Sequence, residues 1–175
     1  MNFATENLVF DPQIIRRFDV NGPRYTSYPT ADRFTPDFAE PQYREALQAR
    51  APGTLAKPLS LYFHLPFCNT VCYYCACNKV ITKDRARADR YLDCLIREME
   101  MQVALLPHRP KVWQLHFGGG TPTFLSNQQL ERLMVAVNRL FDLQPAGEYS
   151  IEIDPRKVGV ETVDLLARLG FNRMS

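Results

Sequence analysis

Leu59-Ser60-Leu61-Tyr62-Phe63-His64-Leu65-Pro66-Phe67-Cys68-Asn69-Thr70-Val71-Cys72-Tyr73-Tyr74-Cys75 holds the two features from which the rest of the chain can be read. Residues 59–65 alternate with the period of two that marks a strand. Ser60, Tyr62 and His64 share one face, and Leu61 and Phe63 the other. The strand feeds directly into a loop that carries three cysteines. The same order of strand, loop and helix then repeats. A helix is expected from about Ala86 to Leu106, with Ala88, Leu92, Leu95, Ile96, Met99 and Val103 at helical spacing and Pro107 and Pro110 as its stop. Val112 to Phe117 reads as the second strand, ending in Gly118-Gly119-Gly120-Thr121-Pro122. Ser126 and Gln129 form a capping box for a helix whose buried stripe is Leu130, Leu133, Met134, Val137 and Leu140. Tyr149 to Asp154 is the third strand, and a helix from about Val160 to Leu169 ends at Gly170. Phe171 to Ser175 begins a fourth strand.

Strands alternating with helices imply an α/β fold with a parallel sheet. Strands buried on both faces read as continuous apolar runs, and these do not. Gln114, His116 and Gly118 share one face of the second strand, as Ser150, Glu152 and Asp154 do on the third. Leu115, Phe117, Ile151 and Ile153 take the opposite faces. Helices should therefore cover the apolar face, and the polar face should line a cavity. That predicts an open parallel β/α barrel, with about three and a half β/α units in this chain and a ligand inside instead of a packed core.

Residues 1–58 differ from residues 59–175 and are expected to form an irregular and helical N-terminal extension on a β/α barrel domain. Asp11-Pro12 should open a short helix through Phe18, stopped by Asn21-Gly22-Pro23. A second helix is expected from Asp37 to Arg50, with Phe38, Tyr43, Ala46 and Leu47 on its apolar side.

A net charge of +2 gives no electrostatic case for nucleic acid or an anionic membrane. No apolar run of about 18 residues predicts a membrane span. Residues 1–10 do not read as a signal peptide, so a cytoplasmic protein is expected. Cys68, Cys72, Cys75 and Cys77 crowd into one short stretch, whereas a secreted disulfide scaffold would spread its cysteines. Clustered thiols read as metal or cluster ligands. Cys94 reads as a small packed helix residue.

Three thiolates on one loop can hold three irons of a cubane cluster and leave the fourth open. A closed electron-transfer cluster normally takes four cysteines, and Cys77 could complete such a set. Zinc is a further alternative, though tetrahedral zinc sites usually draw paired ligands from separate segments.

The loop, with Tyr74 just before its third cysteine, resembles the signature of the radical S-adenosylmethionine superfamily. Gly118-Gly119-Gly120-Thr121-Pro122 resembles that superfamily's glycine-rich segment. Gly22-Pro23-Arg24-Tyr25-Thr26-Ser27-Tyr28-Pro29-Thr30, the approach Leu61 to Cys68, and the extra Cys77 are similar to the oxygen-independent coproporphyrinogen III oxidase (dehydrogenase) family. The resemblance implies that these units are the N-terminal part of a partial barrel of the radical SAM type. It implies that Cys68, Cys72 and Cys75 ligate a 4Fe-4S cluster, with Cys77 near the cluster but not bound to it. It also implies that S-adenosylmethionine chelates the open iron, two molecules of it being held in the family. An electron, from a donor protein or reductant, cleaves the S–C5′ bond. The resulting 5′-deoxyadenosyl radical takes hydrogen from a propionate of coproporphyrinogen III. Loss of carbon dioxide and an electron leaves a vinyl group, and two rounds give protoporphyrinogen IX.

Tyr62, Tyr74, Cys77, Gly119, Gly120, Thr121 and Glu152 match cofactor-binding positions of that family. Tyr62 reads equally as a half-buried barrel tyrosine, and the glycines as a strand-to-helix turn. Glu152 between Ile151 and Ile153 needs a polar partner, which ribose hydroxyls would supply. His64 and His116 could face the cavity, but read first as hydrogen-bonded wall residues. Lys79, Lys83, Arg85, Arg87 and Arg90 read as a solvated helix entry or as a rim for the substrate's carboxylates. Arg24 is the better candidate for the substrate. The family's chains run beyond position 175, so this chain is expected to be inactive by itself and to self-associate through open sheet edges. Two other functions compete: a haem chaperone of the same superfamily, which generally lacks the counterparts of Arg24-Tyr25-Thr26-Ser27-Tyr28-Pro29 and Cys77, and a non-catalytic iron–sulfur electron-transfer protein.

Overall fold

The computed structural model describes residues 11–19, 30–50, 57–73, 75–106 and 108–175. Two compact units divide the chain, Met1–Ala39 and Glu40–Ser175. In the first, α1 spans Pro12–Phe18. The Asp11 carboxylate accepts from the backbone N–H groups of Gln13 and Ile14, and Pro12 opens the helix, as the sequence predicts. A 3-10 turn follows at Ala31–Arg33. The expected stop at Asn21-Gly22-Pro23 and positions 22–29 of the family-like segment, Arg24 among them, lie outside the described residues, as does Pro107.

In the second unit α2 spans Glu40–Gln48, shorter than expected at both ends. Phe38 therefore lies before the helix and is exposed. Four parallel strands make the main sheet: β1 (Leu59–Leu65), β4 (Lys111–Gly119), β5 (Asp142–Ile151) and β6 (Arg173–Met174), in the order β1-β4-β5-β6. The helices α3 (Ala86–Val103), α4 (Asn127–Leu140) and α5 (Val160–Arg168) connect successive strands of this sheet. This is the expected α/β arrangement of three strand–helix units and the start of a fourth strand.

The predicted faces hold. Phe63, Leu65, Leu115, Phe117 and Ile151 are buried, while Ser60 and Tyr62 are exposed on the other side of the sheet. Phe117 joins the edges of Phe63 and Phe171 at ring centroid distances of 5.2 and 5.1 Å. Leu92, Leu130, Leu133 and Val137 close the core from α3 and α4. The Ser126–Gln129 capping box forms, and the Gln129 amide continues to Asp89 on α3 at 2.8 Å. At the end of α5, Gly170 takes a φ of +94°. Its N–H donates to Ala167 and that of Phe171 to Leu166, the paired closure that only a residue tolerant of left-handed backbone accommodates cheaply.

Three local expectations change. Strand β5 begins at Asp142 and ends at Ile151, so Glu152 and Asp154 follow the strand. The Glu152 N–H still donates to Phe117 at 2.9 Å, which keeps Glu152 aligned with the sheet. Cys94 is exposed and not packed. It sits two residues past the fully buried Leu92, about 200° around a helix and so on the opposite side. A short parallel pair, β2 (Phe67–Cys68) with β3 (Val80–Ile81), was not foreseen.

Candidate functional site

That short pair closes the cysteine loop at its base. The N–H of Val80 donates to Pro66 at 2.8 Å and that of Thr82 to Cys68 at 2.9 Å. From the other side, Gly120 donates to Leu65 and Thr121 to Phe67, both at 2.9 Å. Phe67 anchors the root of the loop, buried against Tyr91 and Phe124 with centroids 5.4 Å away in each case. The Tyr91 hydroxyl donates to the His64 carbonyl at 2.6 Å. The strand end, the loop root and the glycine segment are thus bonded into one layer.

Gly119 and Gly120 have separate reasons to be glycine. Gly119 takes a φ of +113°. A Cβ on Gly120 would stand 2.7 Å from the Pro66 carbonyl and 2.8 Å from that of Phe67, which are backbone atoms with little room to yield.

Above this layer lies a cavity of about 870 Å³. Cys68, Cys72, Cys75 and Cys77 line it together with Gly119, Gly120, Thr121 and Glu152. All four cysteines are free thiols. The Thr121 hydroxyl points at the Cys68 sulfur at 3.7 Å. The Cys75 thiol is held below its ordinary value, chiefly by the Cys77 backbone N–H and with help from Lys79, whereas its hydrogen bond with Cys75 pushes the Cys77 thiol up. The Lys79 ammonium reaches the Cys75 carbonyl at 3.1 Å.

Among the described residues no three Cys, His, Asp or Glu groups close on a single ion. A cubane cluster asks for something different, since each ligand takes its own iron. Three thiols from one loop, on the wall of a cavity of ligand size, fit that demand. The donor set is consistent with a 4Fe-4S group held by Cys68, Cys72 and Cys75, with space beside it for a cofactor.

Glu152 enters this cavity with its carboxylate already held. Its Oε2 accepts from the Gly119 N–H at 3.1 Å, and its Oε1 lies 3.5 Å from His116 Nε2. Tyr62, by contrast, does not line the cavity. Its ring stacks on His116 at 5.8 Å, and its hydroxyl lies 3.1 Å from His64 Nδ1. His64 Nε2 meets the Asn78 carbonyl at 2.8 Å. A carbonyl only accepts, so Nε2 carries the proton and Nδ1 accepts from Tyr62. Partial desolvation by the neighbouring rings raises the phenol of the largely exposed Tyr62 above its ordinary value, helped by the charges of Glu152 and Cys77. His64 and His116 are hydrogen-bonded wall residues, as read from the sequence. Tyr74 lies outside the described residues.

The sequence reading put Asp154 on the cavity face but missed its partner on the rim, Arg156. Asp154 receives both the Nε and Nη2 hydrogens of Arg156, at 2.9 and 3.0 Å, and both residues line the cavity. Arg156 thereby holds the Asp154 carboxyl down to about 2. The run Asp154-Pro155-Arg156-Lys157 after a strand was the available signal. Of the basic stretch, Arg85 stacks over Phe124 at 5.9 Å, and Lys83, Arg87 and Arg90 are exposed. No helix among the described residues is long and apolar enough to cross a membrane.

Residues 62–175 match the family model described as the Radical SAM superfamily. An oxygen-independent coproporphyrinogen III oxidase of Pseudomonas aeruginosa is 50% identical over 173 residues, covering 97% of this chain and 37% of the relative. A protein of the same description from Mannheimia haemolytica is 44% identical over 148 residues, covering 85% of this chain and 98% of the relative. Among solved structures, coproporphyrinogen III oxidase (HemN) from Escherichia coli, described as a radical SAM enzyme, matches with a TM-score of 0.80 at 42% identity. That match covers 95% of this chain and 36% of the Escherichia coli chain. The chain thus spans little more than a third of the length of the Pseudomonas and Escherichia coli proteins.

Proposed function

The chain belongs to the radical SAM superfamily, and within it to the oxygen-independent coproporphyrinogen III oxidase family, and on that premise we propose that it supplies the cluster and cofactor site of an enzyme that oxidatively decarboxylates two propionates of coproporphyrinogen III to vinyl groups. The product would be protoporphyrinogen IX. The observation that carries the reading is one cavity shared by three cysteines of a single loop, a glycine segment and a carboxylate.

When bound at Cys68, Cys72 and Cys75, a 4Fe-4S cluster with one open iron supplies the reductive cleavage of S-adenosylmethionine. The chain's own residues do the rest of the work at this end of the sheet. Clamping of residues 66–68 from two sides sets the position from which the loop departs. The bare backbone of Gly119 and Gly120 lets a ligand approach without meeting a side chain. Glu152 offers acceptor oxygens to the hydroxyls of a ribose. Thr121 completes the cofactor wall, Tyr74 is assigned to cofactor binding, Cys77 stands beside the cluster without ligating it, and Arg24 is assigned to a substrate carboxylate. An electron donor, and self-association through the edge strands β1 and β6, belong to the same proposal.

Iron and sulfide analysis after anaerobic reconstitution tests it. Cys68→Ala, Cys72→Ala and Cys75→Ala should each lose stable cluster assembly, and Cys77→Ala should keep it. Full iron content in Cys72→Ala would sink the assignment.

A further inference from the structure

We infer that His116, with Ser150 behind it, is a positioning residue that holds the Glu152 carboxylate in the orientation needed to receive a vicinal diol, an inference that rests on the proposed role of Glu152 at the cofactor ribose. The sheet register puts Tyr62, His116 and Ser150 in one row across β1, β4 and β5. Ser150 is buried, and its Oγ lies 2.7 Å from His116 Nδ1 and 3.3 Å from the Leu115 carbonyl. A serine has one hydrogen to give. It can go to Nδ1 or to the Leu115 carbonyl, which only accepts. Because the Glu152 carboxylate also only accepts, the arrangement that serves it is the one with the proton on His116 Nε2. That nitrogen faces Glu152 Oε1 at 3.5 Å. Contacts of this length in ligand-free sites commonly tighten when the ligand arrives.

The ring cannot easily turn away. Tyr62 stacks on it with an interplanar angle of 21°. Gly118 leaves the space both rings need: a Cβ there would stand 2.8 Å from His116 Nε2 and 3.1 Å from Tyr62 Cε2. Glu152 is therefore held by the Gly119 N–H on Oε2, and His116 Nε2 stands 3.5 Å from Oε1, placed to become its second donor. Each carboxylate oxygen can accept about two hydrogen bonds. One acceptor direction per oxygen remains, and together they suit two adjacent hydroxyls of a ribose.

The test measures S-adenosylmethionine affinity by calorimetry on this chain, together with the Gly119 amide resonance by NMR on the ligand-free protein. His116→Phe should weaken binding about tenfold, the range expected for one positioning contact between coupled residues. His116→Gln, which keeps an N–H donor, should restore affinity to within about threefold. In a Glu152→Gln background His116→Phe should add less than about twofold, because its route of action is gone. The Gly119 amide should move in His116→Phe and stay near its parent position in His116→Gln. Should His116→Phe fail to fold, Ser150→Ala is read in the same way and should show a smaller loss in the same direction. Equal weakening by Phe and Gln, or a full effect of His116→Phe without the Glu152 carboxylate, would overturn the inference. Unchanged affinity in Glu152→Gln alone would instead overturn the ribose role of Glu152, and the Gly119 amide would still decide whether His116 orients that carboxylate.

Discussion

Replacing Gly120 by alanine would place a methyl carbon 2.7 Å from the Pro66 carbonyl and 2.8 Å from the Phe67 oxygen. Both are backbone atoms, so the clash is relieved only by parting the glycine segment from the loop root. That movement strains the two hydrogen bonds joining them, Gly120 to Leu65 and Thr121 to Phe67. Each contributes about 0.5–1.5 kcal/mol, and overpacking of a tight contact costs about 1–3 kcal/mol. The combined loss should be about 2–6 kcal/mol. Because Cys68 directly follows the displaced residues, cluster assembly should fall with stability. Gly159→Ala is the control: nothing lies within 4 Å of its Cβ position. There the reduced freedom of the unfolded chain offsets a poorer helix cap, and the net change should stay within about 0.5 kcal/mol. Urea unfolding followed by circular dichroism gives both values, and iron analysis after reconstitution gives the functional one. A Gly120→Ala protein within about 1 kcal/mol of the parent and with full iron content would refute the claim that this contact sets the loop.

Gly170→Ala should cost about 1–2 kcal/mol in the same assay although no atom crowds that position, because the φ of +94° is itself the obstacle. Asp154 should titrate near pH 2 by carboxyl NMR, since Arg156 favours its ionised form. Its folded value is depressed, so the stabilisation is complete above the ordinary carboxylate value of about 3.9 and is lost as the pH falls through about 2. Arg156→Gln should return the midpoint towards the ordinary value; a midpoint that stays near 2 would mean that Arg156 is not the cause.

The sheet was legible because a polar-faced strand leaves a period of two, and Ser60, Tyr62 and His64 show it plainly. The same alternation put His116, Ser150 and Glu152 on one face before any contact was known. What stayed hidden was decided by tertiary pairing. The register between β4 and β5 jumps from Val112–Leu143 to Gln114–Glu148, so extra residues of β5 bulge out between them. Gln144-Pro145-Ala146-Gly147 shows no strand pattern, and its place is fixed by partners elsewhere: the Tyr149 hydroxyl on the Gln144 carbonyl and the Asn172 amide on Gly147. The β2–β3 pair is two residues long on each side, too short to leave a periodicity. Cys94 is a different case, because its angle from Leu92 already placed it outward. The usual burial of cysteine misled where the helical period would have been right. Within the site, the sequence placed four cysteines on one loop after a strand, but the hold on Glu152 depended on distances that no spacing records.

Electron paramagnetic resonance of the reduced, anaerobically reconstituted chain, recorded with and without S-adenosylmethionine, tests the central claim most directly. A cluster held by Cys68, Cys72 and Cys75 with one iron open should give a signal that S-adenosylmethionine perturbs. The same experiment on Cys77→Ala should give the same perturbation. A signal that S-adenosylmethionine leaves unchanged, or one that disappears only when Cys77 is removed, would mean a closed cluster and would contradict the account.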